Sequence, residues 1–258
     1  MTYKTLKFLI VLLLIGSTAY AQLDDLARID YTSIPAGNAP NSFNRIRALF
    51  NYPVKLKKDD AYLFLGLDYS HIDLKMEDNV SFDKSELQGF QLLDFNFGYT
   101  QQLKNDWRLG VRFIPGFSSN LTANDLSLED VVLSGGVVFI KYKKKSEDAK
   151  KPWSLILGVF YSGNRGFNYP LPYISYYRKF HPDWSYNLGV PKSNLQYHFS
   201  DKHRLKLYGE LDGFTSNLQK GILIDNDETA KSINMSLIIG GLQYEYHFTD
   251  HLEFYARS

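Results

Sequence analysis

The stretch 232–248, SINMSLIIGGLQYEYHF, alternates apolar and polar residues with a period of two. Successive side chains of a β-strand leave opposite faces, so this period predicts a strand with one oily and one polar side. Ile233, Met235, Leu237 and Ile239 form a first apolar set, and Leu242, Tyr244, Tyr246 and Phe248 a second. The phase therefore slips at Gly240-Gly241, where a glycine pair suits a β-bulge. The run exceeds the roughly 9 to 11 tilted residues with which a strand crosses a bilayer. A tight turn at Thr249-Asp250 leads into a further strand from His251.

The same grammar recurs along the chain and predicts strands at 29–34, 43–56, 61–70, 93–100, 107–113, 131–142, 153–161, 169–180, 184–190, 195–199, 204–212, 233–248 and from 251. Tight turns near Lys57, Lys104, His181, Ser200 and Thr249 alternate with longer polar loops at 73–88, 117–127 and 215–231. Short turns on one side and long loops on the other are the asymmetry of an outer-membrane barrel. Aromatic residues cluster on the short-turn side: Trp107, Trp153 and Trp184 open strands there, and Tyr99, Tyr142, Phe180, Phe199 and Phe248 close them. Together they predict one interfacial girdle.

Lys4 and Lys7 precede the apolar run 8–15, and Ala19 and Ala21 supply a small-x-small pattern. That is a secretory signal peptide over 1–21, read by the Sec pathway, with cleavage after Ala21. With no cysteine in the chain, disulfides, thiol catalysis and cysteine-bound metals are excluded. A formal net charge of +1 argues against nucleic acid, which needs a clustered basic surface. Aromatic residues make up 16% while mean hydropathy is −0.28, as alternating lipid-facing and polar positions would give.

Charged residues concentrate on the face opposite the apolar set. Arg45, Arg47, Asp68, Asp94, Arg108, Arg112, Arg204, Lys206, Glu210, Asp212 and Glu245 all fall there. A charge facing lipid costs several kcal/mol at mid-depth, about 2–4 for Arg or Lys, so this face is expected to be the lumen. Mixed signs predict cross-strand pairing that fills the barrel, with a narrow polar pore as the other reading.

Over 41–56, NSFNRIRALFNYPVKL, with 63–70, LFLGLDYS, and 94–99, DFNFGY, the chain resembles an uncharacterised family of outer-membrane β-barrel proteins seen in Bacteroidetes. The resemblance implies a barrel and an outer-membrane location, and brings no activity and no site residues.

Candidate chemistry is sparse. His198 and Ser200 have the His-x-Ser spacing of outer-membrane lipid hydrolases, but Ser200 falls in a turn and a polar hairpin accounts for both. His181, His198, His203, His247 and His251 gather near the tight turns without ligand spacing on one element, so no metal site is expected. The run 225–228, DNDE, lacks the glycine and distal glutamate of a calcium loop, and the lysines of 143–151 form a charged connection.

The sequence thus predicts an all-β, antiparallel up-and-down transmembrane β-barrel of about 12 to 14 strands over 22–258, even-numbered and so continuing past Ser258. Its expected role is structural, or that of a narrow passive channel with a charge-paired lumen. It is read as a non-enzyme without cofactor, with outer-membrane lipid, lipopolysaccharide and the barrel-assembly machinery as partners. A lipid-modifying hydrolase and a soluble secreted β-sandwich are the alternatives.

Overall fold

A computed structural model describes residues 25–35, 42–57, 60–76, 84–123, 125–143, 152–224 and 228–258. The signal segment 1–21 and residues 144–151 and 225–227 of the two charged stretches lie outside them. Alternation sustained through nearly every segment yields thirteen antiparallel strands joined in sequence order. They are β1 (Ala27–Pro35), β2 (Ser42–Lys55), β3 (Tyr62–Lys75), β4 (Phe90–Gln102), β5 (Trp107–Ser119), β6 (Val131–Lys143) and β7 (Trp153–Ser162). Then follow β8 (Leu171–His181), β9 (Trp184–Val190), β10 (Lys192–His198), β11 (His203–Leu223), β12 (Thr229–Thr249) and β13 (Leu252–Arg257). Two single-turn 3-10 helices, Ser85–Leu87 and Leu128–Asp130, sit in connections.

The sheet curls on itself. Ser119 of β5 makes a parallel bridge to Asn217 of β11, and Ser118 Oγ donates to the Thr215 carbonyl at 2.7 Å. Strands β5 to β11 thereby close into a ring of seven, and the other six extend the sheet on either side. Among the described residues no ladder joins β1 to β13.

The connections at 56–61, 103–106, 182–183, 199–202 and 250–251 share one end of the strands, here the turn end. Those at 76–89, 120–130, 163–170 and 224–228 share the other, the loop end. The length asymmetry is only partial, because β9 and β10 are joined at the loop end by Pro191 alone, and β6 and β7 at the turn end by the nine residues 144–152. The expected loops are also shorter than the sequence suggested: β3 runs to Lys75, β5 to Ser119, and β11 and β12 extend to Leu223 and back from Thr229.

No bulge occurs at Gly240-Gly241. Gly240 pairs with Gly209 and Gly241 with Tyr208 in unbroken register, and the one shift in this ladder lies between Asn217 and Ile222. Burial alternates without a break from Ile233 to Glu245, odd residues inward and even residues outward. What changes along β12 is its surroundings. Toward the loop end Ile233 and Met235 point in and Asn234 and Ser236 out; toward the turn end Gln243 and Glu245 are buried while Leu242, Tyr244 and Phe248 are exposed.

Other strands invert in the same sense. On β3 the outer face carries Leu63, Leu65, Leu67 and Tyr69 and then His71, Asp73 and Lys75, while the inner face passes from Asp68 and Ser70 to Ile72 and Leu74. On β2 the interior passes from Arg47 and Arg45 to Phe43, on β4 from Asp94 to Leu92 and Phe90, and on β11 from Glu210 and Asp212 to Phe214 and Leu218. The loop-end interior is therefore an apolar core of Phe43, Ile72, Leu74, Leu87, Phe90, Leu92, Phe214, Leu218 and Ile222. Phe214 anchors it, with ring centroids 5.3 Å from Phe90 and 6.1 Å from Phe43. Below that core the interior carries the charged residues, with Phe64, Ile114 and Ile140 among them, and the exterior is apolar.

Candidate functional site

The charged interior is built by strand parity and completed by one loop. Arg45 on β2 reaches Asp212 on β11 as a fork, Nη1 to Oδ1 at 3.0 Å and Nη2 to Oδ2 at 2.7 Å. Paired guanidinium and carboxylate planes of this kind give the strongest of side-chain ion pairs. Arg47 forks onto Asp68 in the same way, with Nε 2.8 Å from Oδ1.

From the loop 163–170, between β7 and β8, Asn164 and Arg165 reach into the interior and join these pairs. Arg165 Nη2 lies 3.0 Å from Asp68 and 3.5 Å from Asp94, and Asn164 Nδ2 donates to Asp94 Oδ1 at 2.7 Å. The loop is held by β11 and β12: the Thr215 amide donates to the Asn164 carbonyl at 3.1 Å, and Ser236 Oγ to the Gly166 carbonyl at 2.6 Å. Gly166 and Gly213 both adopt positive φ, +84° and +147°, and a Cβ on Gly166 would stand 3.2 Å from Gly213 Cα and meet the Met235 carbonyl. Only glycine allows that approach.

A second network lies nearer the turn end. Glu210 accepts from Arg257 Nη1 at 2.7 Å and from Lys192 Nζ at 2.8 Å. Arg257 Nε also donates to Gln243 at 2.6 Å; Gln243 donates in turn to Glu245 Oε1 at 2.6 Å, and Lys206 pairs with the same Glu245. Arg204 stands opposite Glu245 in register. Arg108 is drawn to the rim, where it grips Asp60 at 2.5 Å. Arg112 borders an interior cavity of about 130 Å³ with Arg28, Asn51, Asp68 and Asn96.

At the loop end a polar layer covers the core. Asp130 accepts from Asn217 Nδ2 at 2.7 Å, Gln219 Nε2 at 2.8 Å and the Ser127 amide at 2.8 Å. Burial pushes its carboxyl up, but the donors from Asn217, Ser127, Ser119 and Gln219 outweigh it and hold the group down at about 2. Asn120 and Thr122 bind Glu86 beside it, at 2.9 and 2.7 Å.

The girdle residues divide. Tyr99, Trp107, Trp153, Phe180, Trp184, Phe199 and Phe248 share strand faces with exposed apolar residues near the turn end. Tyr142 does not: it shares the face of buried Ser134 and Ile140, because the alternation of β6 puts even positions inward. Tyrosines missing from the expected girdle extend it. Trp184 packs on Tyr197 at 4.8 Å, Tyr197 on Phe199 at 4.8 Å, Phe180 on Tyr186 at 5.6 Å and Tyr246 on Phe248 at 4.7 Å.

His198 and Ser200 have different partners. His198 Nε2 lies 2.9 Å from buried Ser185 Oγ, while Ser200 Oγ accepts the amides of Lys202 and His203, each at 3.2 Å, within its turn. Sequence reasoning missed Arg165, Asn164, Lys192 and Arg257. The first two lie in a connection that no periodicity can orient, and Lys192 and Arg257 sit on strands too short to show a pattern. Among the described residues one group of metal-type ligands converges, Glu245, His247 and Glu253.

Comparison with known proteins adds one finding. Residues 36–258 match a family described as a domain of unknown function (DUF6268). No curated protein and no solved structure matches the chain.

Proposed function

The chain belongs to the DUF6268 family, and we propose that it is an outer-membrane β-barrel whose interior is closed by ion pairs and the inward loop 163–170, a structural barrel and not an open channel. The observation that carries this reading is the exchange of polarity between the two faces of β2, β3, β4, β11 and β12, in the same sense from the loop end to the turn end. In water an exposed belt of Leu65, Leu67, Phe97, Phe113, Val159, Leu188, Leu207 and Leu242 is costly, since contiguous apolar patches on monomers are usually small. Against lipid it is the required surface.

The dimensions agree. On β12 the apolar outer face runs from Ile238 to Phe248. At about 3.3 Å per residue and a tilt of about 40°, that run spans roughly 25 Å along the membrane normal, the height of a barrel's apolar band. The aromatic cluster of β8 to β12 then marks one interface, and Asn234, Ser236, His71 and Asp73 lie beyond the other. The likeness of 41–56 to Bacteroidetes outer-membrane barrels supports the same reading, as does the secretory leader at 1–21.

Reconstitution into planar bilayers tests the closed interior. The expected result is conductance near the background of the empty membrane. A steady, large single-channel current from the unaltered chain would overturn the proposal in favour of a pore.

A further inference from the structure

We propose that Glu245, His247 and Glu253 form a divalent-cation site suited to zinc at the turn-end base of the β12–β13 hairpin. Strand geometry assembles it. Glu245 and His247 are two residues apart and so share the inner face of β12, and the ladder sets Glu253 of β13 directly opposite His247.

Two of the three ligand separations suit a shared ion. His247 Nε2 is 3.4 Å from Glu253 Oε2 and 3.6 Å from Glu245 Oε2, and one atom from each residue falls within a common 4.8 Å. Nitrogen and oxygen ligands about 2.0–2.1 Å from a tetrahedral zinc stand roughly 3.3–3.4 Å apart. A charge-assisted hydrogen bond would instead draw the pairs to about 2.7–2.9 Å. The two separations made by His247 are those of groups facing a shared centre.

An independent observation points to a ligand. Glu245 Oε2 and His247 Nε2 are both buried without a hydrogen-bond partner, and Glu245 is 1% exposed. Leaving such atoms unsatisfied is costly, and a bound cation satisfies both. Glu245 is already oriented for it: Lys206 and Gln243 occupy Oε1, leaving Oε2 turned to His247. That is the outer support metal-binding carboxylates commonly have. Lys206 and Arg204 oppose a cation here, and the two carboxylates offset them. Three protein ligands leave a fourth position for water, and the half-exposed Glu253 supplies the route in.

The inference does not depend on the membrane reading. The test uses the full chain folded in detergent, stripped with a chelator and titrated with zinc ion against a competing chromogenic chelator. Folding is monitored independently by tryptophan fluorescence. One zinc per chain is expected, with affinity falling at least about tenfold in both His247→Ala and Glu253→Gln. His181→Ala, at a separate exposed turn, should bind as the unaltered protein does. Because Glu253 is half-exposed, Glu253→Gln keeps the test decisive should His247→Ala fail to fold. Folded protein that takes up no zinc, or a Glu253→Gln variant of unchanged affinity, would overturn the site in favour of a histidine ring held between two carboxylates.

Discussion

Arginine placed at two points on one face of β12 separates a lipid-facing barrel from a water-soluble one. Leu242 and Asn234 both point outward and both are exposed. They are eight residues apart in the sequence, which at about 3.3 Å per residue and a tilt of about 40° is roughly 20 Å of depth. Leu242 lies near the middle of the apolar run from Ile238 to Phe248. If that run spans a band of about 25 Å, Asn234 stands outside it. Leu242→Arg should then cost about 2–4 kcal/mol, and Asn234→Arg no more than about 1. A difference of about 2 kcal/mol is close to thirtyfold in the folding equilibrium, at 1.4 kcal/mol per factor of ten. In water both are surface substitutions worth within about 0.5 kcal/mol. The assay is reversible urea-dependent folding into phospholipid bilayers, followed by tryptophan fluorescence. Costs for the two variants within about 0.5 kcal/mol of each other would refute the reasoning.

Three further outcomes follow from the interior. Arg45→Ala leaves Asp212 without its forked partner and should destabilise by about 3–5 kcal/mol, whereas Arg45→Met with Asp212→Leu should be near neutral in the same unfolding measurement. Gly166→Ala drives a Cβ into the Met235 carbonyl, so the inward loop should be displaced and bilayer conductance should rise above that of the unaltered chain. Asp130 has its carboxyl held at about 2 against an ordinary 3.8; a depressed folded pKa contributes stability above the unfolded value that is lost as pH falls from about 4 toward 2, here roughly 2 kcal/mol. Hydrogen exchange of the Ser127 amide should quicken over that range, relative to a reference amide remote from Asp130, and Asp130→Asn should remove the dependence.

The strands were legible because one physical rule, two residues per repeat, holds whatever surrounds them. All thirteen segments read from alternation are strands in the structure. What alternation could not reveal was a change of surroundings. At Gly240-Gly241 the apolar set moves from odd to even positions, which looks like a slipped strand; the backbone keeps its register while the interior turns from oily to charged. The same exchange made the distal parts of β3 and β11 read as polar loop, since His71, Asp73, Thr215 and Asn217 occupy outer positions there. Arg165 was out of reach because its loop is anchored by the close approach of Gly166 to Gly213, which leaves no periodic trace. Glu245, His247 and Glu253 were legible in principle, as an E-x-H pair on one strand face and a glutamate just past the turn. Counting histidines without asking which face each shares concealed them.

The most direct test of the whole account is migration of the membrane-fractionated protein on a mild-detergent gel, with and without boiling. A closed barrel in the outer membrane should fractionate with that membrane and migrate differently until boiled. Protein that stays soluble after export and shows no boiling-dependent shift would contradict the account and leave a secreted β-domain in its place.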